Sequence, residues 1–139
     1  MDLEPYLFFS GRCEEALSFY QGIFGGEIAS ISRFKDMPAD EEGHSQSPLE
    51  YGEKIMHATF KSPSFSFMAS DGRPGKVYGE GPISLSLGFK DAASAQRTFD
   101  GLTQGGTVEM PMQKTFWGSQ FGMLTDKFGI DWMVSAPLS

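Results

Sequence analysis

Residues 5–24 read Pro-Tyr-Leu-Phe-Phe-Ser-Gly-Arg-Cys-Glu-Glu-Ala-Leu-Ser-Phe-Tyr-Gln-Gly-Ile-Phe, and Gly25-Gly26 and a strand-like run from Glu27 to Phe34 follow. Five apolar or aromatic residues led by a proline predict a short strand, buried on both faces, over Glu4 to Phe9, and Ser10-Gly11 ends it. Cys13, Ala16, Leu17, Tyr20 and Phe24 then recur at three- and four-residue spacing, the signature of a helix with one buried stripe. Gly25-Gly26 supplies the backbone freedom that stops this helix.

The same order returns from residue 82. A Pro-led apolar strand over 82–89 leads to Asp91, a good N-cap, and to a helix striped by Ala92, Ala95, Phe99 and Leu102. Gly105-Gly106 is expected to end that helix as Gly25-Gly26 ends the first, then come strands near 107–115, 119–125 and 130–135, with Asp126-Lys127-Phe128-Gly129 as the last hairpin turn. In the first half the matching strands are 27–34, 54–61 and 65–70, and Phe67-Met68-Ala69-Ser70 closes that half as Trp132-Met133-Val134-Ser135 closes the second. The expected fold is therefore α+β: two tandem βαβββ units, 1–71 and 82–139, joined by a crossover over 72–81 within a single domain of 139 residues. Two equivalent curved mixed sheets of this kind would face each other across a cleft.

Composition narrows the function. A formal charge of −7 with scattered Lys and Arg repels a polyanion, which argues against nucleic acid as a partner. No run approaches the roughly 18 apolar residues of a membrane span, and the acidic start Met1-Asp2-Leu3-Glu4 is unlike a secretory signal, so no membrane partner and a cytoplasmic location are expected. Cys13 is the single cysteine, which excludes an internal disulfide or a multi-cysteine zinc site. It lies on the buried stripe beside Glu14 and Glu15, and both features oppose a thiolate nucleophile. Gly-x-Ser-x-Gly, Walker and His-Glu-x-x-His motifs are absent. The acidic stretch from Asp36 to Glu53 exceeds the usual connection length and reads as a lid or a disordered loop.

Pro5-Tyr6-Leu7-Phe8-Phe9, Cys13 to Tyr20 with Phe24-Gly25-Gly26, His57-Ala58, Ser70-Asp71-Gly72, Phe116-Trp117-Gly118 and Asp126 to Trp132 together resemble the PhnB-like branch of the vicinal oxygen chelate (VOC) superfamily, the glyoxalase and bleomycin-resistance fold. That branch also carries a 3-demethylubiquinone methyltransferase-like label, although no Gly-rich loop follows a βαβ strand here as a nucleoside cofactor would require. In the superfamily's metalloenzymes a divalent ion is held from the first and last strands of each half. The resemblance puts those positions on Pro5, Met68, Pro82 and Met133, and the repeat pairs proline with proline and methionine with methionine. Neither residue type suits such an ion, so no metal and no other cofactor is expected. A non-standard site could draw on His57 with Asp71, or on His44 with Asp40, Glu41 and Glu42.

Strand alternation from Pro5, Met68, Pro82 and Met133 turns Leu7, Phe9, Ser70, Ser84, Ser86, Asp131 and Ser135 toward the cleft. Leu7, Phe9, Met68, Ser84, Trp117 and Met133 are the candidate ligand contacts, suited to a small, partly hydrophobic molecule. His57 is the candidate for a polar contact or proton transfer. Three readings follow: a metal-free binding or sensing protein, an enzyme of the same fold working through His57 or a non-standard metal site, and a structural dimer with a filled cleft. The resemblance also implies a homodimer.

Overall fold

The computed structural model describes residues 1–36, 51–76, 78 and 81–138. It divides into two compact units, Met1–Tyr78 and Gly79–Ser139, with the boundary inside the expected crossover. In unit 1 the order is β1 (Tyr6–Phe8), α1 (Cys13–Phe24), β2 (Glu27–Arg33), a 3-10 turn (Phe34–Asp36), β3 (Ile55–Lys61) and β4 (Ser66–Ser70). Unit 2 runs β5 (Leu85–Gly88), α2 (Ala92–Leu102), β6 (Thr107–Lys114), β7 (Ser119–Thr125) and β8 (Asp131–Pro137). Each unit forms one four-stranded mixed sheet, ordered β1-β4-β3-β2 in the first and β5-β8-β7-β6 in the second. Among the described strands, only the β1–β4 and β5–β8 pairs are parallel. The expected βαβββ order is present in both units.

One face of each sheet packs on its helix. In unit 1 Tyr20 meets Phe67 edge-on at 5.9 Å and Phe9 at 6.0 Å, and Phe24 meets Phe60 at 6.5 Å. Cys13, Ala16, Leu17 and Tyr20 are fully buried, as their spacing requires. In unit 2 Phe99 and Leu102 of α2 are buried, as are Leu124, Trp132 and Val134 of the sheet. Gly122 lets Phe99 and Met112 approach the sheet, since a Cβ there would lie 2.8 Å from each.

The helix ends differ from one another. Asp91 caps α2 locally by accepting the Ser94 N–H at 2.7 Å. At α1 the N-cap Arg12 makes no side-chain cap, and Asp71, 58 residues on, accepts the Cys13 N–H at 2.7 Å instead. α2 stops with Thr103 at its C-cap, two residues before Gly105-Gly106, and Thr103 Oγ1 donates to the Asp100 carbonyl there. Gly26 and Gly106 are required for a different reason. A Cβ on either would collide with the backbone of the strand passing beneath, at Lys61–Ser62 and at Thr125–Asp126.

Two expectations about strands need correction. β1 is three residues long and is not buried on both faces: Tyr6 and Phe8 stay 40% and 38% exposed. It is an edge strand with a helix on one side only. Likewise β5 starts at Leu85, not Pro82, and Ile83 before it is exposed.

Candidate functional site

Partners in register share a face of a sheet, so the pairing decides which side chains each helix leaves uncovered. In unit 1 Tyr6 stands opposite Met68 and Thr59 opposite Met68 on the other side, whereas Leu7 aligns with Ala69 and Ala58. Leu7, Ala58, Phe60, Phe67 and Ala69 therefore face α1. Tyr6, Phe8, His57, Thr59 and Met68 occupy the open face. There the Tyr6 hydroxyl lies 3.2 Å from His57 Nδ1 and the two rings are 5.8 Å apart. Tyr6 stacks on Phe8 at 5.1 Å, and Phe8 on Tyr78 at 4.5 Å with ring planes 6° apart. Lys76 Nζ sits 4.9 Å from the Tyr78 centroid, a cation–π contact. Burial pushes the Tyr6 hydroxyl pKa above its ordinary value, so the phenol keeps its proton.

The open face of unit 2 is built on the same plan with other residues. Met133 stands opposite Ser86 and Met123, and Ser135 opposite Phe121. A concavity of about 250 Å³ is lined by Ser84, Glu109, Met123, Thr125 and Asp131, with Leu124 and Trp132 behind. Thr125 Oγ1 donates to Asp131 Oδ1 at 2.6 Å and lies 3.3 Å from Glu109 Oε1. Trp117 is 57% exposed in the β6–β7 turn and touches Phe121 edge-on at 5.8 Å, while Phe116 is fully exposed.

The sequence-predicted residues separate accordingly. His57 and Met68 share the open face of unit 1; Ser84, Met133 and Trp117 belong to unit 2. Leu7 and Phe9 do not face the same way as Met68: Leu7 turns toward α1, and Phe9 is buried against Tyr20. The cause is a register one residue from that assumed, with Met68 N–H bonded to the Pro5 carbonyl so that Met68 aligns with Tyr6. The pairing of Pro5 with Pro82 also fails. Phe9 N–H bonds Ser70 O as Phe89 N–H bonds Ser135 O, which matches Pro5 to Leu85 and Tyr6 to Ser86. Met68 and Met133 do correspond. Tyr6 and Phe8 lie in an apolar run without alternation and Tyr78 in the Gly-rich crossover, so the sequence carries no signal for these three site residues.

Comparison with known proteins bears on this fold directly. The sequence model of the family described as 3-demethylubiquinone-9 3-methyltransferase matches residues 1–135. The structure of protein PA1353 from Pseudomonas aeruginosa superposes with a TM-score of 0.85 at 40% identity, covering 100% of this chain and 99% of that one. A PhnB protein from Bacillus cereus superposes with a TM-score of 0.76 at 29% identity, covering both chains completely. This chain belongs to the PhnB-like branch of the VOC superfamily. A glyoxalase-related enzyme from Fulvimarina pelagi shares the VOC fold with a TM-score of 0.63 at 13% identity, covering 98% of this chain and 88% of that one.

For a VOC protein the question is whether the residues fit a divalent ion. The positions paired in register on the first and last strands are Tyr6 with Met68 and Ser86 with Met133. Neither pair, a phenol with a thioether in unit 1 or a hydroxyl with a thioether in unit 2, offers the imidazole and carboxylate donors that such an ion takes, so neither fits one. Among the described residues no three His, Cys, Asp or Glu side chains come together. His57 and Asp71 do not combine, because Asp71 is buried with its two oxygens accepting the Cys13 and Ile55 N–H groups at 2.7 and 2.8 Å. His44, Asp40, Glu41 and Glu42, and with them most of the 36–53 stretch, lie outside the described residues. The Cys13 thiol is buried, and burial first, then Asp71 and Glu14, push its pKa far above the ordinary range. No described helix is long and apolar enough to cross a membrane.

Proposed function

We propose that this PhnB-like protein binds a small, partly hydrophobic organic molecule against the open face of its sheets, without a divalent ion at the usual VOC positions. The observation that carries this reading is the open face of unit 1. Tyr6 and Phe8, 40% and 38% exposed, lie beside Met68 and the polar pair Tyr6–His57 on a face the helix does not cover. Solvent-accessible aromatic rings with few polar groups are the usual makeup of a small-molecule site. Met68 and Met133 place an apolar thioether at corresponding positions of the two open faces.

A panel of small oxygenated aromatic and aliphatic compounds, screened by thermal shift in the presence of a chelator, tests the reading. A ligand that prefers the folded state raises the melting temperature. Shifts seen only after adding a divalent metal, or stoichiometric zinc, nickel, manganese or iron in the purified protein, contradict it.

A second reading, acid–base chemistry at His57, draws on the 3.2 Å contact with Tyr6. It requires a turnover that His57→Ala abolishes while the fold persists. We further propose a cytoplasmic homodimer, and a solution mass near 15.3 kDa at micromolar concentration refutes the pairing.

A further inference from the structure

The two units permit an internal comparison. Because Ala58 pairs with Ala69 as Gly122 pairs with Val134, His57 corresponds to Phe121, and Tyr6 to Ser86. The same strand position thus accepts a phenylalanine in unit 2, so strand pairing alone does not call for the Tyr6–His57 hydrogen bond of unit 1.

The chemistry of the pair assigns its protons. A phenol hydroxyl is a strong donor, and the bare nitrogen of a neutral imidazole is a strong acceptor, so Tyr6 donates to His57 Nδ1. The imidazole proton then resides on Nε2, which has no hydrogen-bond partner among the described residues. Beside this donor runs the ring row Tyr6–Phe8–Tyr78, with Lys76 at its far end. The edges of these stacked rings suit an aromatic partner, and the His57 N–H donor at the Tyr6 end suits an oxygen acceptor.

We propose that Tyr6 holds His57 as the Nε2–H tautomer, and that this N–H receives the oxygen acceptor of a planar aromatic ligand, a carboxylate or carbonyl, seated on the Tyr6–Phe8–Tyr78 row. Tyr6 is the positioning residue and His57 the contact. This inference rests on the binding reading above and names its ligand class.

Two measurements on the full chain test it. The first needs no ligand: nitrogen chemical shifts of the His57 ring at pH 8 are expected to show a bare Nδ1 and a protonated Nε2. Tyr6→Phe is expected to give a tautomer mixture. A protonated Nδ1 in the unaltered protein overturns the inference.

The second measures binding of benzoate, benzamide, cyclohexanecarboxylate and benzylamine by NMR titration. Benzoate and benzamide are expected to perturb His57, and His57→Phe, which places the unit 2 residue there, weakens benzoate about tenfold with the rest of the spectrum unchanged. Benzylamine or cyclohexanecarboxylate binding as well as benzoate overturns the inference, as does benzoate binding that His57→Phe leaves intact. Binding of other compounds to the open face with none of this selectivity defeats the ligand class alone. A broad panel with no binder at all defeats the binding reading as well.

Discussion

Asp71→Ala is the substitution from which the fold account asks most. Asp71 is 1% exposed, and its carboxylate accepts the Cys13 N–H at 2.7 Å and the Ile55 N–H at 2.8 Å, tying the start of α1 to the start of β3. Hydrogen bonds to a charged acceptor contribute roughly 1.5–3 kcal/mol each, and alanine leaves both donors buried without a partner. The two losses share one site and do not add fully, so the expected cost is about 4 kcal/mol. Asn keeps one acceptor oxygen but turns an NH₂ toward the other donor, for about 2 kcal/mol. With a urea slope of about 1.5 kcal/mol/M, the Ala variant's midpoint falls by roughly 2.5 M at unchanged slope. A loss below about 1 kcal/mol, or Asn costing more than Ala, refutes the claim that a distant carboxylate caps α1.

Other outcomes follow from the same geometry. Gly26→Ala and Gly106→Ala each force a Cβ into the neighbouring strand's backbone and are expected to cost about 3 kcal/mol or more by urea unfolding, whereas Phe116→Ser, at a fully exposed turn residue, stays within about 0.5 kcal/mol. Because burial raises the Cys13 pKa, its contribution to stability is complete below the unfolded value near 8.5 and is lost as pH rises above it. The unaltered protein is therefore expected to lose about 1.4 kcal/mol more than Cys13→Ala between pH 7.5 and pH 9.5. Arg33 makes a two-point ion pair with Glu14 at 2.9–3.0 Å, and that hydrogen bond lowers the Glu14 pKa. Its stabilisation is present above the unfolded carboxyl pKa and lost as pH falls through the folded one, so Arg33→Gln is expected to raise the Glu14 pKa in a carboxyl NMR titration.

Periodicity made most of the fold legible. The α1 stripe from Cys13 to Tyr20, the Asp91 cap of α2 and Gly25 at the end of α1 each rest on a local rule that the sequence satisfies on its own. What it could not convey was facing and distance. Tyr6-Leu7-Phe8-Phe9 is apolar at every position, so alternation cannot choose between Tyr6 and Phe8 or Leu7 and Phe9 for the open face. The parallel partner β4 makes that choice, 62 residues away. Pro82 resembled Pro5 because both lead apolar runs, yet their places in the ladders differ by three residues. In the sequence Asp71 stands out only as a candidate ligand with His57, because caps are sought beside their helix. Its role appears only once β4 is laid beside β1.

The central claim is that the open face of unit 1 binds an organic molecule unaided by a metal. Methionine-methyl NMR of the full chain in the presence of a chelator, titrated with the binders from the compound panel, tests it most directly. The account predicts that Met68, on the open face opposite Tyr6, shifts on binding while Met112, packed near Gly122, stays in place. Binding that leaves Met68 unmoved, or that appears only when a divalent ion is restored, would contradict it.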